Sequence, residues 1–147
     1  MSLPAKILVV DDEAPIREFL AEVLGKLGHR VLEAATGPEA LQIAREKHPD
    51  LILLDLMIPG VTGIEVCRQL RADPAARDIR IIVVSGADAK LGLEESIIAG
   101  ADDFLAKPID TLELTVRVRS MLRVRNIPDE EKRVEVYIEN LQKLRQP

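Results

Sequence analysis

Short apolar runs recur along the chain, separated by longer stretches in which apolar and polar residues alternate with a helical period. Lys6–Val10, Leu51–Leu54 and Ile79–Val84 carry β-branched and aliphatic residues at consecutive positions, the pattern of strands buried on both faces and therefore of a parallel sheet. Arg30–Ala34 and Asp103–Leu105 are weaker candidates that bring the expected strands to five. In the first intervening segment Ile16, Phe19, Leu20, Val23, Leu24 and Leu27 fall at i, i+3, i+4, i+7, i+8 and i+11, which predicts a helix with that whole face in the core. Thr36 with Glu39, and Thr62 with Glu65, form capping-box patterns that open a second and a third helix; Pro49 closes the second after Lys47 and His48. A fourth helix is expected over about Asp88–Ala99 with Gly100 as its stop. Leu114, Val118, Met121 and Leu122 give the stripe of a fifth.

Five strands alternating with helices predict an open, doubly wound α/β sheet, because each parallel crossover is right-handed and needs a helix to cover it. In such sheets ligands bind beyond the carboxyl ends of the strands, where strand order reverses. The residues expected there are Asp11 and Asp12 after the first strand, Asp55 after the third, Ser85 after the fourth and Lys107 after the fifth. With the first and third strands adjacent, three carboxylates converge, and that requires a cation or raised pKa values. Mg²⁺ suits a few carboxylates and waters. A carboxylate beside Mg²⁺, a lysine and a serine hydroxyl form a phosphoryl-transfer site. Asp55 stands alone at the end of the central strand and is the candidate nucleophile, whereas Asp11 and Asp12 form a pair better suited to holding metal.

Composition narrows the alternatives. The 147 residues allow one domain and an appendage. A hydrophobic fraction of 47% and a charged fraction of 31% fit a folded soluble protein rather than a disordered one. The lone cysteine, Cys67, offers neither an internal disulfide nor a thiolate metal site, which again points to oxygen ligands. A net charge of −5 argues against a large nucleic-acid surface. No run of about 20 apolar residues and no signal-peptide pattern is present, so a cytoplasmic location without membrane contact is expected.

The stretches Ile7–Glu13, Leu53–Gly63, Val83–Gly86 and Gly100–Pro108 together resemble the receiver domains of bacterial two-component response regulators, of the chemotaxis-regulator type. The resemblance spans about Lys6 to Arg125, in order and with family-like spacing. It implies a flavodoxin-like (βα)5 fold with strand order 2-1-3-4-5, and a phosphoryl group taken from a sensor histidine kinase or phosphotransfer protein onto Asp55. It also implies Mg²⁺ held by Asp11, Asp12, Asp55 and the carbonyl of Met57, Lys107 pairing with the phosphoryl group, and a cis peptide bond between Lys107 and Pro108. Ser85 would swing inward and Phe104 would follow as an aromatic switch, moving the surface of the fourth helix, fifth strand and fifth helix to control an output domain or partner. Ser85 stands where threonine is common, and Phe104, in place of tyrosine, excludes a switch that uses a phenolic hydroxyl. The domain would be catalytic only on itself, through self-phosphotransfer and autodephosphorylation.

Two other functions compete. An aspartate-nucleophile phosphohydrolase would carry a general-acid Asp two residues after Asp55, where Met57 stands. A pseudo-receiver would bind partners without phosphorylation, against which stand Asp12, Asp55, Ser85 and Lys107 together. Taken singly, Asp11 and Asp12 also read as loop or cap residues, Ser85 as a turn residue and Phe104 as core. Asp102 and Asp103 are expected to be structural or exposed, His29 and His48 surface residues, and Cys67 core. Arg117, Arg119, Arg123 and Arg125 read as a solvated face, or more sharply as a dimer or partner surface.

Residues 1–5 read as a disordered or tag-derived N-terminus, 6–126 as the receiver domain and 127–147 as a helical linker or dimerisation extension. Within Asp129–Gln146, Val134, Tyr137, Leu141 and Leu144 have heptad-like spacing, as in a helix that leaves the domain towards an output module or forms a dimer stalk. A homodimer would use that helix or the surface of the fourth helix, fifth strand and fifth helix. An output domain cut from the chain would account for the extension.

Overall fold

The computed structural model describes residues 4–86 and 89–145. Five strands, β1 (Lys6–Val10), β2 (Arg30–Ala34), β3 (Leu51–Asp55), β4 (Arg80–Ser85) and β5 (Asp103–Ala106), form one sheet in the order β2-β1-β3-β4-β5. Every neighbouring pair is parallel. The helices between and after them are α1 (Ala14–Lys26), α2 (Gly37–Lys47), α3 (Gly63–Ala72), α4 (Ala89–Ala99), α5 (Thr111–Val124) and α6 (Glu130–Arg145). This is the flavodoxin-like order, with the expected helical extension at the C-terminus. The expected helix start at Asp88 lies outside the described residues.

The continuous apolar runs follow from burial on both faces of the pleat, since successive side chains point to opposite sides. Leu8, Val10, Ile52, Leu54, Ile81 and Val83 pack with Ala40, Leu41 and Ala44 of α2 and Val66, Cys67 and Leu70 of α3. Ile7, Val9, Leu51, Leu53, Ile82 and Val84 pack with Leu20 and Leu24 of α1 and Leu114, Val118, Met121 and Leu122 of α5. Thr36 Oγ1 accepts from the Glu39 amide and Thr62 Oγ1 from the Glu65 amide, as the capping patterns predict. Gly100, at φ +103°, ends α4, and the Ala101 amide donates to the Ser96 carbonyl.

Five expectations need correction. Phe19 is 40% exposed; the buried line of α1 runs through Leu20 and Leu24, and Phe19 is turned about 100° away from Leu20. Ala5 is buried and its amide donates to His29 Nδ1 at 3.1 Å, so ordered packing begins before Lys6 and His29 is half-buried rather than a surface residue. Burial and the nearby Arg125 charge lower the His29 pKa. Arg117 is no solvated side chain: it pairs with Asp103 and, at 3.0 Å, with Glu113. Finally, α6 does not leave the domain. Tyr137 is buried, and Val136 and Leu141 pack against the core that contains α5.

Cys67 is fully buried, with Sγ donating to the Ala99 carbonyl at 3.3 Å, and burial pushes its thiol pKa up to about 11. Alkylation of the native chain at pH 8 is therefore expected to run at least about a hundredfold slower than alkylation of the unfolded chain. Comparable rates with and without urea would contradict this placement.

Candidate functional site

The carboxyl ends of β1, β3, β4 and β5 meet at one end of the sheet, and each brings a polar residue there. Asp11 follows β1 and is 2% exposed; Asp55 ends β3 and is 4% exposed; Asp12 beside them is open to solvent. Ligand oxygens of Asp11, Asp12 and Asp55 lie within 4.8 Å of one another. Lys107, one residue past β5, reaches across: Nζ is 3.0 Å from Asp11 Oδ2 and 3.2 Å from Asp55 Oδ2. The Lys107–Pro108 peptide is cis. Ser85 ends β4, is buried, and through its carbonyl accepts the Lys107 amide at 3.0 Å.

Local backbone groups orient the carboxylates. The Met57 amide donates to Asp55 Oδ1 at 3.1 Å, and the Glu13 amide donates to Asp11 Oδ1 at 2.9 Å. Met57 itself has its side chain in solvent, 68% exposed. The start of α3 presses directly on Asp55: a Cβ at Gly63 would stand 2.5 Å from the Asp55 carbonyl oxygen, so the close approach requires glycine.

Electrostatics define what the cluster lacks. Burial raises the Asp55 pKa; the Met57 amide and Lys107 pull it back, and Asp11 adds to the rise. Burial works against the Lys107 charge, but its bonds to Asp11 and Asp55 outweigh this and raise its pKa. Both shifts favour bound protons, Asp55's chiefly through burial and Lys107's through its two carboxylate partners; with three carboxylates facing one ammonium, the cluster is also short of positive charge. An all-oxygen set of carboxylates with a half-open mouth fits a hard divalent cation such as Mg²⁺.

Phe104 lies in the middle of β5, opposite Val83, and packs partly buried against the α2–α3 side of the core. It also lines a small cavity with Leu93, Ser96 and Ile97 of α4. Asp102 and Asp103, at the other end of β5, are structural. Asp102 accepts from Arg71, Arg80 and the Ile81 amide. Asp103 accepts from Arg117 and the Tyr137 hydroxyl.

Sequence reasoning missed Arg17, whose Nη1 donates to the Asp11 carbonyl at 2.8 Å while Nε pairs with Glu33 at 3.3 Å. A cation one turn into the helix that follows the acidic pair was the available signal.

A doubly wound sheet of this order, with acidic residues at the carboxyl ends of β1 and β3 facing a lysine after β5, defines the receiver class of signalling domain. The sequence matches the response regulator receiver domain family over residues 7–119, and the chain belongs to that family. It is 41% identical over 130 residues to the phosphate regulon transcriptional regulatory protein PhoB of Pseudomonas aeruginosa, a match covering 88% of this chain and 57% of that protein. It is 42% identical over 129 residues to the response regulator PleD of Caulobacter vibrioides, covering 87% of this chain and 28% of that protein. The chain thus spans about half or less of these relatives. Among solved structures, the receiver domain of Francisella response regulator 1452 superposes with a TM-score of 0.75 at 30% identity, covering 81% of this chain and 97% of that one. The chemotaxis protein CheY4 of Vibrio cholerae superposes with a TM-score of 0.74 at 29% identity, covering 80% and 98%.

Proposed function

We propose that this receiver domain accepts a phosphoryl group on Asp55 in a Mg²⁺-dependent reaction and passes the change to its α4–β5–α5 surface. The observation that carries the proposal is Lys107 Nζ, which touches Asp11 and Asp55 at once beside the three-carboxylate cluster. Asp11, Asp12, Asp55 and the Met57 carbonyl are the groups that would hold Mg²⁺. When bound, the ion neutralises phosphoryl oxygens as charge moves onto them. The donor is a phosphohistidine on a sensor kinase or phosphotransfer protein. An Asp55 oxygen forms the new bond to phosphorus as the P–N bond breaks, and the ring, already protonated at its other nitrogen, keeps the electron pair and departs neutral.

Lys107 supplies a fixed positive charge to the transferred group, and the Ser85 hydroxyl a hydrogen bond to one of its oxygens. Movement of Ser85 leaves room for Phe104, and the phosphoryl charge thereby biases two states of α4, β5 and α5. The domain acts catalytically only on its own Asp55. Its readout is an output domain or partner, and its place is the cytoplasm; among the described residues no helix is long and apolar enough to cross a membrane.

Amide NMR with Mg²⁺ and beryllofluoride tests the switching part of the proposal. Shifts at Ser85, Phe104 and Lys107 that vanish in Asp55→Asn are expected. Shifts that persist in Asp55→Asn would mean that the ligand acts elsewhere, and no shift in either chain would favour a pseudo-receiver.

A further inference from the structure

We infer that α6 is an intramolecular latch on the output surface: docked on β5 and α5, it favours the unphosphorylated arrangement of the domain and is released when Asp55 is modified. This inference rests on the phosphoacceptor reading of Asp55. Among the described residues β5 is an edge strand, paired with β4 alone. Edge strands attract partners unless they are covered, and here α6, packed on α5, reaches the start of this one through Tyr137. Tyr137 is buried, and its hydroxyl donates to Asp103 Oδ2 on β5, the oxygen that also accepts from Arg117 of α5. Arg133 donates to the Ile127 carbonyl at 3.0 Å and stands 4.0 Å from Asp102. Ile127, Val136 and Leu141 complete the contact with the α5 side of the core. Between α6 and α4 lies an open groove of about 690 Å³ whose lining includes Ile97, Ile98 and Val134 beside the charged Arg80, Asp102 and Arg133. A second molecule approaching α4, β5 and α5 together meets α6 first.

The anchor is placed to feel the phosphorylation site. Asp103 is the neighbour of Phe104, and the same short strand leads to Lys107. In the docked state Lys107 bonds both Asp11 and Asp55. A phosphoryl group on Asp55 takes over those Lys107 bonds, and Phe104 and β5 resettle around it. The Tyr137–Asp103–Arg117 contact depends on direction and spacing, and Asp103 sits on the strand that moves. Docking and modification therefore oppose each other, and the opposition is reciprocal: docking weakens the binding of a phosphoryl mimic at Asp55 by the same factor by which that binding weakens docking.

The test compares the full chain, Tyr137→Phe and a chain ending at Asn126, each titrated with beryllofluoride in saturating Mg²⁺ by amide NMR. Hydrogen exchange of the α6 amides is followed in the full chain with and without the ligand. Tyr137→Phe removes one hydroxyl and keeps the ring and the Asp103–Arg117 pair, so it remains informative if the shortened chain fails to fold. Beryllofluoride is expected to bind about fivefold tighter to Tyr137→Phe and tighter still to the shortened chain, within the usual range of coupling between sites. Protection of α6 in the full chain should fall on binding. Equal affinities with unchanged α6 exchange, or weaker binding to the variants, overturn the latch while leaving the phosphoacceptor reading intact. No binding to any of the chains overturns that reading, and the latch with it.

Discussion

Asp102→Ala is expected to lower the unfolding free energy by about 3–5 kcal/mol, the cost of leaving buried charge without its partner. The Asp102 carboxylate accepts from Arg71 at 2.7 Å, from Arg80 at 3.2 Å and from the Ile81 amide at 2.8 Å. Arg80 is 4% exposed, and its burial already lowers its pKa against the pull of Asp102. Its remaining bonds go to the Asp78 backbone carbonyl, and the Asp78 charge acts on it more weakly than that of Asp102. Asp102→Asn keeps an acceptor and should cost about half as much. Urea unfolding at constant m-value measures both. A loss below about 1 kcal/mol in the alanine variant would show that the pair is only a surface contact.

Lys107→Ala should separate metal binding from phosphoryl acceptance. The Lys107 ammonium competes with any cation for Asp11 and Asp55, at 3.0 and 3.2 Å. Its removal leaves the carboxylates with more unmet negative charge, and Mg²⁺ is expected to bind about tenfold tighter. Formation of the acyl phosphate should nevertheless slow by on the order of 10²-fold, because a positioned donor to the transferred group is gone. Calorimetric titration with Mg²⁺ and a time course with acetyl phosphate read the two effects separately. Weaker Mg²⁺ binding in the variant would mean that Lys107 organises the carboxylates rather than competing for them.

The sheet was legible in the sequence because both of its faces are covered: Leu51–Leu54 and Ile81–Val84 are apolar at every position, and such runs fit little else between turn signals. The meeting of the candidate residues at one end of the sheet was legible too, since the switch-point rule needs only strand ends, and Asp11, Asp55, Ser85 and Lys107 mark them. What escaped depended on pairing between distant segments. The partners of Asp102 lie on α3 and β4, 31 and 22 residues away in sequence. Arg117 looked solvated because its partner Asp103 is 14 residues upstream on another element. The tail misled for a related reason. Heptad-like spacing reports an apolar stripe without saying what the stripe meets, and for Tyr137 and Leu141 it meets the chain's own core. Phe19 shows the limit of the period itself, since i+3 steps reach the rim of a buried face as readily as its centre.

The most direct test of the account is the intact mass of the chain after incubation with acetyl phosphate, with and without Mg²⁺, beside Asp55→Asn treated identically. A phosphoacceptor Asp55 gives a gain of one phosphoryl group that needs Mg²⁺, maps to Asp55 and is absent from Asp55→Asn. No gain under any condition, or a gain that survives Asp55→Asn, would contradict it.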